Sequence, residues 1–132
     1  MQCWYAEDNE SGHKHEILML STLQEYFNDP TIKMTKRNFI FDYVGENKYI
    51  ELKKRNLPSN KYDDTMIPLN KILYCKGKPE DYYFVFSFED GNFIWKYNDE
   101  DQLNYRRGGR KDRRYNEFKD YCYIPINLLK KI

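Results

Sequence analysis

The sequence predicts a mixed α/β fold of the α+β kind, a single domain spanning 1–132 with a central mixed sheet and helices on its faces. Three observations predict it. One amphipathic helical stretch near the N-terminus precedes a series of strand signals, so helix and strands are not strictly alternating. Two pairs of strand-like runs are joined by short polar connections of hairpin length. The length of 132 residues suits one core, and no repeat, low-complexity run or linker divides it.

In order, 1–10 is polar. From Ser11 to Asn28 the residues Ile17, Leu20, Leu23 and Phe27 recur at helical spacing, with Ser11 available as N-cap and Asp29-Pro30 as the stop. An extended segment near 32–35 follows. Asn38 to Val44 and Tyr49 to Arg55 read as two strands around the connection Gly45-Glu46-Asn47-Lys48. Pro58 marks a loop. Tyr62 to Thr65 reads as a turn, and Pro68 interrupts any helix before Lys71. Tyr82 to Phe88 is the strongest strand signal, returning through Glu89 to Asn92 into Phe93 to Tyr97. Arg106 to Arg114 is basic and contains glycine. Tyr121 to Ile126 reads as a last strand before a turn at Leu128-Leu129.

Composition excludes some functions. Lys plus Arg (22) nearly cancels Asp plus Glu (21), so only local charge argues for a nucleic-acid partner. No run approaches the roughly 18 apolar residues of a membrane span, and the first 30 residues lack a secretory signal pattern. The expectation is an intracellular protein, cytoplasmic or nuclear, with no membrane partner. Cys3, Cys75 and Cys122 are odd in number and widely spaced, which argues for reduced thiols rather than disulfides or a zinc site.

The most telling local pattern lies in the first hairpin. If Val44 faces Tyr49, Asp42 falls opposite Glu51, and Lys53 shares the face of Glu51 because strand side chains alternate. Like charges opposite one another cost roughly 0.2–1 kcal/mol. A divalent cation held by both carboxylates would offset that cost, and Mg²⁺ or Mn²⁺ needs only one or two such ligands. Such a cation polarises a phosphodiester and lowers the pKa of a bound water, with Lys53 placed to serve that water. The competing reading is a solvated sheet face on which Asp42 pairs with Lys53 or Lys36. Glu16 falls on the buried edge of the first helix and either reaches an internal site or is an ordinary first-turn glutamate. His13 and His15, two apart, diverge on a helix and read as surface histidines.

Charge is segregated further on. Residues 105–115 carry six cations against one acid and five of the seven arginines. Arg106, Arg107, Arg110, Lys111, Arg113 and Arg114 therefore form a candidate phosphate-binding footprint, flanked by tyrosines able to stack on bases. Its alternative is a solvated loop neutralised by Asp99, Glu100 and Asp101. Arg55, at the end of its strand, joins the candidate nucleic-acid contacts. Tyr62, Thr65, Asn70 and Lys71 follow the hairpin closely enough to line the same cleft, and Tyr62, Thr65 and Lys71 are counted with the candidate nucleic-acid contacts.

The order Glu16, Asp42, Glu51-Leu52-Lys53 resembles the PD-(D/E)xK nuclease superfamily, in which a helix with a glutamate precedes a hairpin supplying Asp and then (Asp/Glu)-x-Lys. Phe41 stands where the literal motif has proline. The resemblance covers about residues 11–56 and implies a restriction-endonuclease-like core, Mg²⁺ or Mn²⁺ on Asp42 and Glu51 with Glu16 as auxiliary acid, and Lys53 as catalytic lysine. It implies a metal-dependent nuclease, with DNA favoured over RNA and a homodimer possible. Alternatives are a non-catalytic nucleic-acid-binding module or nuclease-like subunit, an RNA endonuclease of the cap-snatching type with His13 or His15 as an added ligand, and a protein-interaction domain.

Overall fold

The computed structural model describes residues 3–36, 38–101, 103–109 and 118–132, with side chains described from residue 13 onward except at 104–109 and 118–119. It is mixed α+β, as the sequence predicts. A long helix, α1 (Cys3–Phe27), precedes the strands β1 (Lys33–Met34), β2 (Tyr43–Gly45), β3 (Lys48–Lys54) and β4 (Asp64–Pro68). A short helix, α2 (Leu69–Cys75), leads to β5 (Asp81–Phe88), β6 (Gly91–Lys96), β7 (Asn104–Gly109), β8 (Phe118–Pro125) and β9 (Lys130–Lys131).

Two sheets form where the sequence predicts one. The larger runs β1-β2-β3-β5-β6-β9 and is mixed, because β3 and β5 are parallel while its other neighbours are antiparallel. A parallel pair needs a long crossover. Here that crossover contains β4 and α2, and β4 joins β8 and β7 in a separate antiparallel sheet.

Alternation along the strands gives the large sheet two apolar faces. Ile50, Leu52, Val85 and Ile94 pack with Met19 and Leu23 of α1. Phe84, Phe86, Phe88 and Trp95 pack on the opposite side with Ile67, Ile72, Cys122 and Ile124 of β4, α2 and β8. Each fully buried large side chain contributes about 1.5–3 kcal/mol through removal from water. The three-layer arrangement therefore rests on both faces of β3 and β5. Cys75 and Cys122 are buried free thiols, pushed up to about 12 and about 11 by burial.

Several boundaries differ from those the sequence predicts. Helix α1 starts well before Ser11, which is therefore an interior residue rather than an N-cap. Its buried face carries Met19 and Leu23, whereas Ile17 is half exposed. The helix stops as predicted: Asn28 takes a left-handed conformation (φ 49°), its N–H donating to Glu25 O and that of Asp29 to Gln24 O, a Schellman closure. Residues 64–68 form strand β4, so the predicted turn there is shorter. Pro68 does not bar a helix but precedes one, at the end where a missing N–H costs nothing.

The first hairpin keeps the predicted register, with Val44 opposite Tyr49 and Tyr43 opposite Ile50, but its turn is only Glu46-Asn47. Asp29 ties this turn to the end of α1, accepting from Glu46 N at 3.1 Å and Lys48 Nζ at 2.8 Å. A Cβ on Gly45 would lie 2.7 Å from Ile32 Cγ1 and 2.8 Å from Asp29 Oδ2, so this close approach requires glycine.

Candidate active site

The predicted strand 38–44 breaks at the residue that matters most. Ladder pairing ends at Tyr43, and 38–42 form a turn and bends. Asp42 N–H donates to Ile50 O at 3.1 Å, although Ile50 is already the partner of Tyr43. Two residues thus address one, the signature of a bulge, which re-aims side chains. Phe41 consequently turns into the aromatic core beside Tyr82 and Phe84, with ring centroids 5.2 and 5.9 Å away. The Asp42 carboxylate takes the place of a backbone acceptor, receiving Leu52 N–H at 2.8 Å.

Glu51 remains within β3 and is only 3% exposed. Its Oε2 lies 3.3 Å from Lys53 Nζ and 3.2 Å from Lys71 Nζ. Its Oε1 is buried with no hydrogen-bond partner among the described residues. Lys71 reaches in from α2, also donates to Ile40 O, and lies over the Phe41 ring at 5.5 Å. One amine thus braces both the buried carboxylate and the turn that carries Asp42. The charge offset that sequence reasoning assigns to a cation is met here by two lysines.

Glu16 approaches from α1, whose position is locked by Tyr43 Oη donating to Glu16 O at 2.6 Å. Burial raises the pKa of all three carboxyls. For Glu16, proximity to Asp42 opposes the rise and the charge of Glu51 adds to it. For Asp42, the bond from Leu52 N–H opposes it. Glu51 is pushed up to about 7, first by burial and then by the Asp42 charge, with Lys53 and Lys71 pulling the other way. At neutral pH the group therefore holds protons that a cation would displace.

These donors fit a divalent metal. Among the described residues no group of three His, Cys, Asp or Glu side chains is arranged to hold a metal ion. Mg²⁺ does not need one, because it keeps water and takes one or two carboxylates. The orphaned Glu51 Oε1 and the adjoining Asp42 carboxylate are hard oxygen donors of that kind.

The remaining sequence candidates are placed unequally. Arg55 is bound into the fold, its Nε donating to Thr65 Oγ1 at 3.3 Å and Nη2 to Met66 O at 2.5 Å, so Thr65 is engaged too. Tyr62 is 60% exposed. Arg106 and Arg107 lie on β7, an edge strand, opposite Tyr121 and Asp120; their side chains are outside the described residues. Arg110, Lys111, Arg113 and Arg114 lie wholly outside the described residues. His13 is exposed as predicted, but His15 is half-buried with Nε2 unpartnered among the described residues. Burial lowers the His15 pKa, and Lys54 lowers it further. The sequence marks Lys71 as a cleft residue and candidate nucleic-acid contact; its grip on Glu51 leaves no spacing signal, since α2 meets β3 only through the tertiary fold.

Two outcomes follow for the metal-free protein. The folded pKa of Glu51 lies above its ordinary 4.5, so the folded state binds more protons and stability falls as pH rises from about 4.5 to 7. Relative to Glu51→Gln, wild type should lose on the order of 2–3 kcal/mol across that window in denaturant titrations. A pH-independent difference would contradict this. In the second, Lys71→Met should cost about 1–3 kcal/mol in wild type, and at least about 0.5 kcal/mol less in a Glu51→Gln background. Equal costs in a double-mutant cycle would show that the ion pair carries no coupling.

A family model described as "Phage putative PDDEXK endonuclease" matches residues 30–132, which include Asp42, Glu51, Lys53 and Lys71 and exclude Glu16. No curated protein and no solved structure matches the chain.

Proposed function

The chain belongs to this PDDEXK endonuclease family, and from that premise we propose that it is a metal-dependent nuclease hydrolysing phosphodiester bonds, with DNA as substrate. The observation that carries the reading is the buried Glu51 carboxylate, one oxygen bridged by two lysines and the other without a donor, beside the Asp42 carboxylate. Two carboxyls that share one buried spot, each with a raised pKa, are the arrangement a divalent cation relieves.

In this reading Asp42 and Glu51 hold Mg²⁺ or Mn²⁺, with Glu16 as an auxiliary acid behind Asp42. The cation supplies Lewis-acid polarisation of the phosphate and a water of lowered pKa. The protein's own groups do the rest. Leu52 N–H fixes the rotamer of Asp42, so that carboxylate is aimed before a ligand arrives. With Glu51 ionised and holding the cation, Lys53 Nζ, now 3.3 Å from that carboxylate, would be the amine placed to face the attacking water or the phosphate oxygens. Lys71 keeps the turn at Ile40 in place through its bond to that carbonyl. Arg106 and Arg107, on the edge strand β7, together with Arg110, Lys111, Arg113 and Arg114, grip backbone phosphates.

The test is cleavage of plasmid DNA, with an RNA of matched length beside it, in Mg²⁺ or Mn²⁺. Lys53→Ala should lower the rate by at least about 100-fold while leaving the melting temperature close to that of wild type. Cleavage unchanged by that substitution would remove Lys53 from the reaction.

A further inference from the structure

A cleft of about 570 Å³ opens where β3 ends, immediately beyond Lys53. Its volume lies within the range of small-ligand sites. The floor is apolar, with Leu57, Met66 and Phe88, while Lys54, Asn56 and Tyr62 stand at its rim. Lys54, the next residue in the strand, is the first of the lining residues, so the cleft adjoins the end of β3 that carries Lys53.

Tyr62 is the feature that packing does not explain. It exposes 60% of its surface, yet the loop that carries it is held from both sides. Lys61 N–H donates to Pro58 O at 3.1 Å, and Ile126 N–H donates to Asp63 O at 2.9 Å. Ser59 is bound twice to Asp90, through its N–H at 2.8 Å and its hydroxyl at 2.6 Å, and Glu89 N–H donates to Leu57 O at 3.0 Å. An aromatic ring presented to solvent on a loop fastened this way can meet a flat partner with the backbone ordering cost already met. Arg55, whose guanidinium is tied to Thr65 and Met66, contributes positive charge beside Lys54, and the cleft also contains the acid Asp64, so its two cations exceed its acids by one.

An apolar floor, an amide at the rim, an exposed tyrosine on an anchored loop and the cations Lys54 and Arg55 against the single acid Asp64 match a flat heterocycle with polar edges on an anionic backbone. We infer that this cleft is a subsite for one unstacked nucleobase of the strand being cut, stacked on Tyr62 and lying next to the phosphate at Lys53. The inference rests on the nuclease reading for the location of that phosphate. It makes single-stranded or distorted nucleic acid the preferred substrate class, because a base inside an intact duplex reaches such a cleft only after unpairing.

The experiment measures binding of a single-stranded oligonucleotide in Mn²⁺, using full-length Lys53→Ala protein so that the strand stays intact. Adding Tyr62→Ala should weaken binding about 5- to 150-fold, the range expected for loss of one base–aromatic stack. Tyr62→Phe should retain it, and binding of a blunt duplex of the same sequence should not depend on Tyr62. The Mn²⁺-induced rise in melting temperature, read on the same proteins, reports the metal site separately and should be the same with and without Tyr62→Ala. Unchanged oligonucleotide binding in Tyr62→Ala, an equal loss with duplex, or an equal loss in Tyr62→Phe would each overturn the subsite, whatever the metal result. A nucleoside monophosphate that competes as well as the oligonucleotide would also overturn it, by making a free nucleotide the ligand.

Discussion

A carboxylate buried inside a sheet is the constraint on which the rest of this structure depends. Desolvating a charge of that kind costs several kcal/mol even after relaxation, and Glu51 is almost wholly buried. Its surroundings read as compensation for that cost. Lys53 comes from the same strand two residues on, Lys71 from a helix that the chain reaches only after building β4, and proton uptake supplies the remainder. The crossover that parallel pairing of β3 and β5 demands is what delivers α2, and with it Lys71, to this position.

The same constraint accounts for the local geometry of Asp42. A regular ladder would direct it at Glu51 with no donor between them. The bulge instead gives Asp42 the Leu52 N–H and sends Phe41 into the aromatic core, where its ring meets several neighbours in tilted and edge-on contacts and carries Lys71 above it. Anchorage and charge are thus separated by one residue. Phe41 supplies packing, and Asp42 is left poised with an elevated pKa. Glu16 is positioned with similar economy of means, through the Tyr43 hydroxyl that fastens its backbone to β2.

Much of this was legible in the sequence, for identifiable reasons. The hairpin register followed from two alternating runs and a short polar connection, and a period of two left little freedom once the apolar faces were assigned. The end of α1 was marked by Asn28-Asp29-Pro30, residues that favour left-handed or non-helical backbone. What escaped was tertiary. The bulge at Asp42 has no glycine or proline to announce it, and Phe41 looked like any strand aromatic. The extension of α1 before Ser11 lacks an apolar stripe, and Pro68 reads equally as a breaker or as a helix start. Lys71 is one lysine among many until the fold lays α2 against β3. Half-burial of His15 depends likewise on where β3 ends, near Lys54.

The central claim is that Asp42 and Glu51 together form a cation site, and calorimetric titration of Mn²⁺ into wild type, Asp42→Asn and Glu51→Gln tests it without reference to any substrate. Saturable binding to wild type is expected, accompanied by proton release at neutral pH because Glu51, pushed up to about 7, arrives partly protonated. Each substitution should weaken it at least about 10-fold, the effect of one lost ligand contact worth about 1.4 kcal/mol. Binding to both variants as tight as to wild type would place the cation elsewhere, and the buried glutamate would then be a structural ion pair.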